Sequence, residues 1–184
     1  MTAPHSTTTP LALPCTRRIV LMGVSGSGKS TLGAALTERL GIAYIDGDTY
    51  HPPSNVEKMR QGIPLTDEDR AGWLDTLAEI IADYRRRDLS LLLGCSALKR
   101  VYREHLRRGD PALMFAFLDG SYDVILARMQ QRAHFFSPDM LRSQFDTLEA
   151  PTDAEAVRVN IDGEFELVVA DCAQALCERA GRDE

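Results

Sequence analysis

An α/β fold, with a five-stranded parallel sheet covered by helices on both faces, is predicted by three observations. Short apolar runs alternate with longer segments of helical spacing along nearly the whole chain. The first run, Ile19-Val20-Leu21-Met22, leads straight into Gly23-Val24-Ser25-Gly26-Ser27-Gly28-Lys29-Ser30, which fits G-x-x-x-x-G-K-[ST] without a mismatch. A helical stretch from Ser30 to Leu40, stopped by Gly41, follows where that motif requires one.

The remaining elements follow in order. Ile42 to Ile45 reads as a second strand, with Asp46-Gly47-Asp48 at its carboxyl end, the edge at which open α/β sheets bind ligands. Pro53 to Gln61 is a short helix closed by Gly62, and Thr66 caps a longer one in which Trp73, Leu74, Leu77, Ile80, Ile81 and Tyr84 keep helical spacing. A third strand, Ser90 to Leu93, runs into Gly94-Cys95-Ser96, and a basic helix follows from about Ala97 to Arg108. Leu113 to Leu118 is the fourth strand and Ser121 to about Gln131 the next helix. Ser137-Pro138, an N-cap followed by proline at the first helical position, opens a helix to about Thr147. Val157 to Ile161 supplies the fifth strand, and Glu164 to Arg179 closes the chain as a helix.

Composition narrows the function classes. A chain of 184 residues, 44% hydrophobic and 26% charged, is sized for one domain, expected over residues 17–184. Residues 1–16, rich in Thr and Pro with little to bury, are expected as a disordered leader in which His5 has no role. A net charge of −6 argues against nucleic acid or anionic membranes as partners, so phosphate recognition must be local. No apolar stretch reaches the roughly 18 to 20 residues of a membrane span and no signal peptide is evident, so the expected location is cytoplasmic. Cys15, Cys95, Cys172 and Cys177 lack metal or disulfide spacing and are expected as free thiols.

The chemistry begins at the glycine-rich motif, a P-loop whose inward-turned N–H groups and helix N-terminus suit a phosphate chain. Gly26, Ser27, Gly28, Lys29, Ser30 and Thr31 are the expected ATP-binding residues, with Lys29 reaching the terminal phosphates and Ser30 serving Mg²⁺. No Asp follows the third strand, so the second metal-organising oxygen falls to Asp46. Asp48 then hydrogen-bonds or deprotonates an acceptor hydroxyl. Arg128 and Arg132, four apart and leading into an exposed segment suited to a lid (about 132–137), fit stacking on adenine and clamping transferring phosphates. In the basic run Lys99, Arg100, Arg103, Arg107 and Arg108, the first members follow a strand end and meet an anionic substrate, while the later ones are expected at the surface. Asp119 ends a strand, but Asp119-Gly120-Ser121 reads as a turn and helix cap with no chemistry, and His51 and His134 lack partners for a metal but can hydrogen-bond a polyol.

From about Ile19 to Asp162 the chain resembles the gluconokinases, small P-loop kinases related to shikimate and adenylate kinases. Beyond the P-loop, the resemblance is carried by Asp46-Gly47-Asp48-x-x-His51-Pro52, Asn55-x-x-Lys58-Met59, Gly62-x-Pro64-Leu65-x-Asp67-x-Asp69-Arg70 and Trp73-Leu74. It continues through Cys95-Ser96-Ala97-Leu98-Lys99-Arg100-x-Tyr102-Arg103, His134-Phe135 and Ser143-Gln144-x-x-x-Leu148-Glu149-x-Pro151. Gly72 stands where that pattern usually has proline. The resemblance implies a nucleoside monophosphate kinase-like fold with a mobile lid and a substrate-binding helical part at about 50–87. It further implies ATP- and Mg²⁺-dependent phosphorylation of D-gluconate at its terminal hydroxyl, by a cytoplasmic homodimer. Asp48, His51, Lys58, Arg70, Lys99, Arg100, His134 and Gln144 are the expected substrate-binding residues, with Arg70 the first choice for the carboxylate, unless Asp67 and Asp69 merely favour the helix start while Arg70 pairs locally. Two alternatives stand beside it: another small-metabolite kinase, acting on shikimate or a nucleoside monophosphate, and a non-catalytic ATP-binding regulator.

Overall fold

The computed structural model describes residues 11–131 and 138–182. Strands β1 (Arg18–Met22), β2 (Ala43–Asp46), β3 (Leu91–Gly94), β4 (Met114–Asp119) and β5 (Val157–Asn160) form one sheet in the order β2-β3-β1-β4-β5. Every neighbouring pair is parallel, as the alternation of strands and helices predicts. The helices are α1 (Lys29–Leu40), α2 (Pro53–Arg60), α3 (Asp67–Arg86), α4 (Arg100–Leu106), α5 (Tyr122–Gln131), α6 (Pro138–Thr147) and α7 (Phe165–Arg182). None of them is long and apolar enough to cross a membrane.

Side chains that alternate along the strands build two separate cores. Val20, Met22, Leu91, Leu93, Phe115 and Phe117 pack against α3 and α4 through Trp73, Leu74, Leu77, Ile81, Tyr102 and Leu106. Ile19, Leu21, Leu92, Ala116, Leu118 and Val159 pack on the other face, against α1, α5 and α7. Burying one such Leu or Ile contributes about 1.5–3 kcal/mol, so the two layers carry most of the favourable free energy.

Two expectations need correction. The helix expected from Ala97 to Arg108 is only Arg100–Leu106, because Ala97 adopts a left-handed φ of 45° and the chain from Cys95 to Lys99 stays irregular. The expected leader is also too long at its inner end. Residues 11–16 have no regular structure, yet Leu11, Leu13 and Cys15 pack against the α1/α7 core and the Leu11 N–H donates to the Arg39 carbonyl at 3.2 Å. Apolar residues hidden in a Thr- and Pro-rich context tether this stretch. Cys15, Cys95, Cys172 and Cys177 form no disulfide with one another.

One buried ion pair fixes the amino-terminal edge of the sheet. Arg18, opening β1, donates through Nε to Asp110 Oδ2 at 2.6 Å, and Asp110 Oδ1 accepts the Ala112 N–H at 3.0 Å. The Asp110 side chain is 2% exposed. Removing one member strands the other charge away from water. Asp110→Ala should therefore lower the unfolding free energy by about 3–5 kcal/mol; a loss under about 1 kcal/mol in urea titration would show the pair to be incidental.

Candidate active site

The P-loop leaves β1 at the carboxyl edge of the sheet and is tied there to its neighbour. The Cys95 N–H donates to Leu21 O at 3.1 Å and the Gly23 N–H to Ser96 O at 3.2 Å, so the exits of β1 and β3 are held side by side. Gly28 precedes α1 with φ of 95°, a region that L side chains avoid, and the space where a Cβ would stand is open. The Lys29 ammonium donates to the Gly23 and Val24 carbonyls, both at 3.0 Å. Burial lowers its pKa, against the opposing pull of Asp48 and, more weakly, Cys95 and Asp46. The buried Ser27 hydroxyl has no hydrogen-bond partner among the described residues. An orphaned donor, open backbone and a retained cation fit a phosphate chain.

Two clefts meet at this loop. The first, about 370 Å³, is lined by Gly26, Ser27, Gly28 and Thr31 on one side and by Arg128, Met129, Gly163 and Phe165 on the other. Leu118, Ile161 and Val168 add an apolar wall suited to a flat base, and Arg128 Nη2 donates to the Ile161 carbonyl at 2.5 Å. The second cleft, about 280 Å³, shares Ser25 and Lys29 with Asp48, His51, Arg70, Trp73, Lys99 and Gln144.

Asp46 ends β2 and caps the 3-10 turn Gly47–Tyr50. Its Oδ1 accepts the Asp48 N–H at 3.1 Å, and its Oδ2 accepts the Ser30 hydroxyl at 2.9 Å. Two hard oxygen donors thus stand together at the start of α1, a set that fits Mg²⁺ shared with phosphate oxygens. Gly47 lies so close to β3 that a Cβ there would stand 2.4 Å from Gly94 O. Its carbonyl accepts the Trp73 Nε1–H at 2.8 Å. Strand, turn and α3 are thereby locked together, and Asp48 projects over the second cleft.

The walls of that cleft are polar and pre-arranged. His51 stacks on Trp73 with ring centroids 4.1 Å apart and an interplanar angle of 19°. Burial pulls the His51 pKa below its usual value, with Arg70 helping and Asp48 opposing. Gln144, from α6, accepts the Ser25 N–H through Oε1 at 2.7 Å, which joins that helix to the P-loop. Lys99 Nζ donates to both oxygens of Asp67, at 2.7 and 2.9 Å, and the Tyr102 hydroxyl also donates to Asp67. Those bonds raise the Lys99 pKa, chiefly through Asp67. Arg70 donates to the Leu65 and Thr66 carbonyls and lies 5.8 Å from the Tyr102 ring centroid.

Several sequence expectations are corrected by this geometry. Lys58 is bound to Asp69 at 2.7 and 2.8 Å, where Asp69 completes a capping box with Thr66, and it does not line the cleft. Arg100 pairs with Glu104 at 2.8 Å on the exposed side of α4 and is likewise absent from the walls. Arg103, expected at the surface, is buried against Glu155. Within Asp119-Gly120-Ser121 the Ser121 hydroxyl accepts the Val124 N–H at 3.4 Å as a helix cap, while Asp119 itself pairs with Arg158 at 2.5 Å. Arg132, His134 and the lid segment 132–137 lie outside the described residues. Cys95, where many P-loop proteins place a metal-organising Asp, has its thiol pushed up to about 12 by burial and stays neutral. Asp67, Ser25, Ser96 and Ser143 line the cleft unforeseen; Asp67 reads from sequence only as a charge at a helix start.

Comparison with known proteins agrees with the geometry. The shikimate kinase family model matches residues 25–170. The thermosensitive gluconokinase of Escherichia coli strain K12 is 44% identical over 160 residues, covering 85% of this chain and 86% of that protein. The gluconokinase of Gluconobacter oxydans strain 621H is 45% identical over 149 residues, covering 80% and 83%. A crystal structure of a gluconokinase from Sinorhizobium meliloti 1021 superposes with a TM-score of 0.83 at 41% identity, covering 90% of this chain and 94% of that one.

Two outcomes are expected from the Trp73 and His51 pair. Trp73→Phe keeps a ring but removes the buried indole donor to the Gly47 carbonyl, so it should cost about 0.5–1.5 kcal/mol in urea unfolding; no loss would mean that the turn holds itself. A histidine whose folded pKa is depressed contributes stability that is present above its usual value and lost as pH falls. Between about pH 7.5 and 5.5 the Tm should therefore drop more steeply in the wild type than in His51→Gln; parallel curves would mean that His51 charges without penalty.

Proposed function

We propose, from the premise that the chain belongs to the shikimate kinase family and to the gluconokinases in particular, that it transfers the γ-phosphoryl group of ATP to the 6-hydroxyl of D-gluconate, giving 6-phospho-D-gluconate and ADP. The observation that carries this reading is the sharing of Ser25 and Lys29 by the P-loop and by a cleft in which Arg70 and Lys99 join the Lys29 cation, beside His51 and the carboxylates of Asp48 and Asp67. A hydroxylated anion fits such walls better than a neutral or cationic acceptor does.

In this reading Asp48 accepts a hydrogen bond from the 6-hydroxyl and takes its proton as the oxygen bonds to the γ-phosphorus and the bond to the departing ADP oxygen breaks. Lys29 exchanges its two P-loop carbonyls for phosphate oxygens and offsets the charge that spreads over them. Ser30 and Asp46 hold Mg²⁺, which supplies charge neutralisation across the terminal phosphates when bound. Gly26, Ser27, Gly28 and Thr31 cradle the phosphates, and Arg128 borders the base. His51 and Gln144 offer hydrogen bonds to the polyol, while Arg70 and Lys99 meet its carboxylate. Arg132 and His134 complete the set as a phosphate clamp and a polyol contact. The resemblance supports a cytoplasmic homodimer.

The test is ADP release from ATP and Mg²⁺ with gluconate, shikimate or nucleoside monophosphates as acceptor. Turnover with gluconate is expected. Turnover with shikimate alone would replace the substrate, and none with any acceptor would favour a nucleotide-dependent regulator. Lys29→Ala should lower kcat by about 10²–10³-fold. Asp48→Asn should lower kcat by about 10²–10⁴-fold with the KM for ATP nearly unchanged; weakened ATP binding with normal kcat would remove Asp48 from acceptor chemistry.

A further inference from the structure

Arg103 lies on α4 with its side chain only 2% exposed, and it lines neither of the two clefts. Its guanidinium nevertheless reaches into the framework behind the acceptor cleft. Nε and Nη2 donate to the two oxygens of Glu155 at 2.7 and 3.1 Å, a bidentate pair. Nη1 faces three carbonyls: Ala97 and Leu98, each at 3.3 Å, and Glu149 at 2.9 Å. Arg107 adds a contact of 3.4 Å to the same Glu155 carboxylate. The hydrogen bonds from Arg103, more than any other influence, hold the Glu155 carboxyl below its usual pKa, so the pair stays ionised.

Those carbonyls belong to two separate stretches that adjoin the cleft residues. Residues 95–99 leave β3 and carry Ser96, Leu98 and Lys99 to one side of the cleft. Residues 148–155 follow α6, the helix that carries Ser143, Gln144 and Thr147 to the other side. Glu149 joins the two directly, its N–H donating to Leu98 O at 2.9 Å and its carboxylate accepting the Arg100 N–H at 2.7 Å. Arg103 binds both stretches from behind.

A clamp of this kind has a physical reason. Ala97 turns through a φ of 45°, which a residue bearing a Cβ holds only when its surroundings over-determine it. The Ala97 and Leu98 residues are also buried, at 1% and 2% exposure, so their carbonyls depend on a protein donor. A planar guanidinium can serve a carboxylate with one edge and carbonyls with the other; a lysine ammonium has no such fork.

The geometry points to Arg103 as a positioning residue for the acceptor: it fixes the backbone from which Lys99 projects and locks that backbone to the segment behind α6, without touching substrate itself. The inference rests on the reading of the second cleft as the gluconate site. Removing the fork leaves Lys29, Ser30 and the nucleotide cleft in place, so the damage falls on gluconate and spares ATP.

Steady-state kinetics and thermal unfolding of Arg103→Met, Arg103→Lys and Glu155→Gln test this. Arg103→Met should raise the KM for gluconate about tenfold or more while the KM for ATP stays within about twofold and kcat falls far less than KM rises. Arg103→Lys should stand between it and the wild type, because the ammonium recovers charge but not the fork. Should Arg103→Met fail to fold, Glu155→Gln, which keeps the shape and the carbonyl contacts, should still raise the gluconate KM about two- to fivefold. A gluconate KM equal to the wild type in whichever variant folds, or parallel rises for both substrates, would reduce Arg103 to an ordinary stabilising residue. A wild type inert toward gluconate would overturn the substrate reading and this inference together, whereas an active wild type with an unselective variant overturns only the latter.

Discussion

Three neighbouring parallel strands, β2, β3 and β1, finish along one edge of the sheet, and the site hangs from those three ends. β1 delivers the P-loop, β2 delivers Asp46 and Asp48, and β3 delivers the loop that bears Ser96 and Lys99. Parallel pairing forces this coincidence, because neighbouring strands running the same way must release their chains on the same side. The register holds it tightly: Leu21 is paired with Gly94, and Gly94 with Asp46. Only glycine at 47 lets the turn pass so near β3, and the Trp73 indole secures it from the helical layer.

The site joins two halves by short, direct contacts. Ser30 and Asp46 meet at 2.9 Å, which couples the nucleotide helix to the acidic strand end. Gln144 and Ser25 meet at 2.7 Å, which couples α6 to the P-loop. Lys29 rests on its own loop, with its charge partly desolvated. Each of these groups is already directed by the fold, so little ordering remains to be done when ligands arrive.

How much of this was readable in the residues follows from the range of each interaction. The strands, the P-loop and the Asp46-Gly47-Asp48 turn are local patterns, and all of them stand where the sequence put them within a residue or two. The fates of Lys58, Arg100 and Arg103 were not readable in the same way. Lys58 finds Asp69 eleven residues on, and Arg103 finds Glu155 fifty-two residues on, so the choice between cleft, surface and core depends on tertiary neighbours. Asp67 shows the same limit. Its spacing announces a helix start, while its actual work is to grip Lys99 and Tyr102 at the start of the neighbouring helix α4. The Leu11–Cys15 stretch was hidden for the opposite reason, since its few apolar residues sit in a tract whose average composition reads as unstructured.

Among the described residues the sheet separates two cores whose fully buried side chains are distinct, one beneath the nucleotide cleft and one beneath α3 and α4, with half-buried Leu148 touching both. A molecule divided in this way has an engine room and a workshop with a wall between them. Descent with modification can refit the workshop for a new alcohol by altering α3, α4 and the loop after β3, leaving the machinery for handling triphosphates untouched. Diversification of acceptors on a constant nucleotide platform is thus a property of the layering itself.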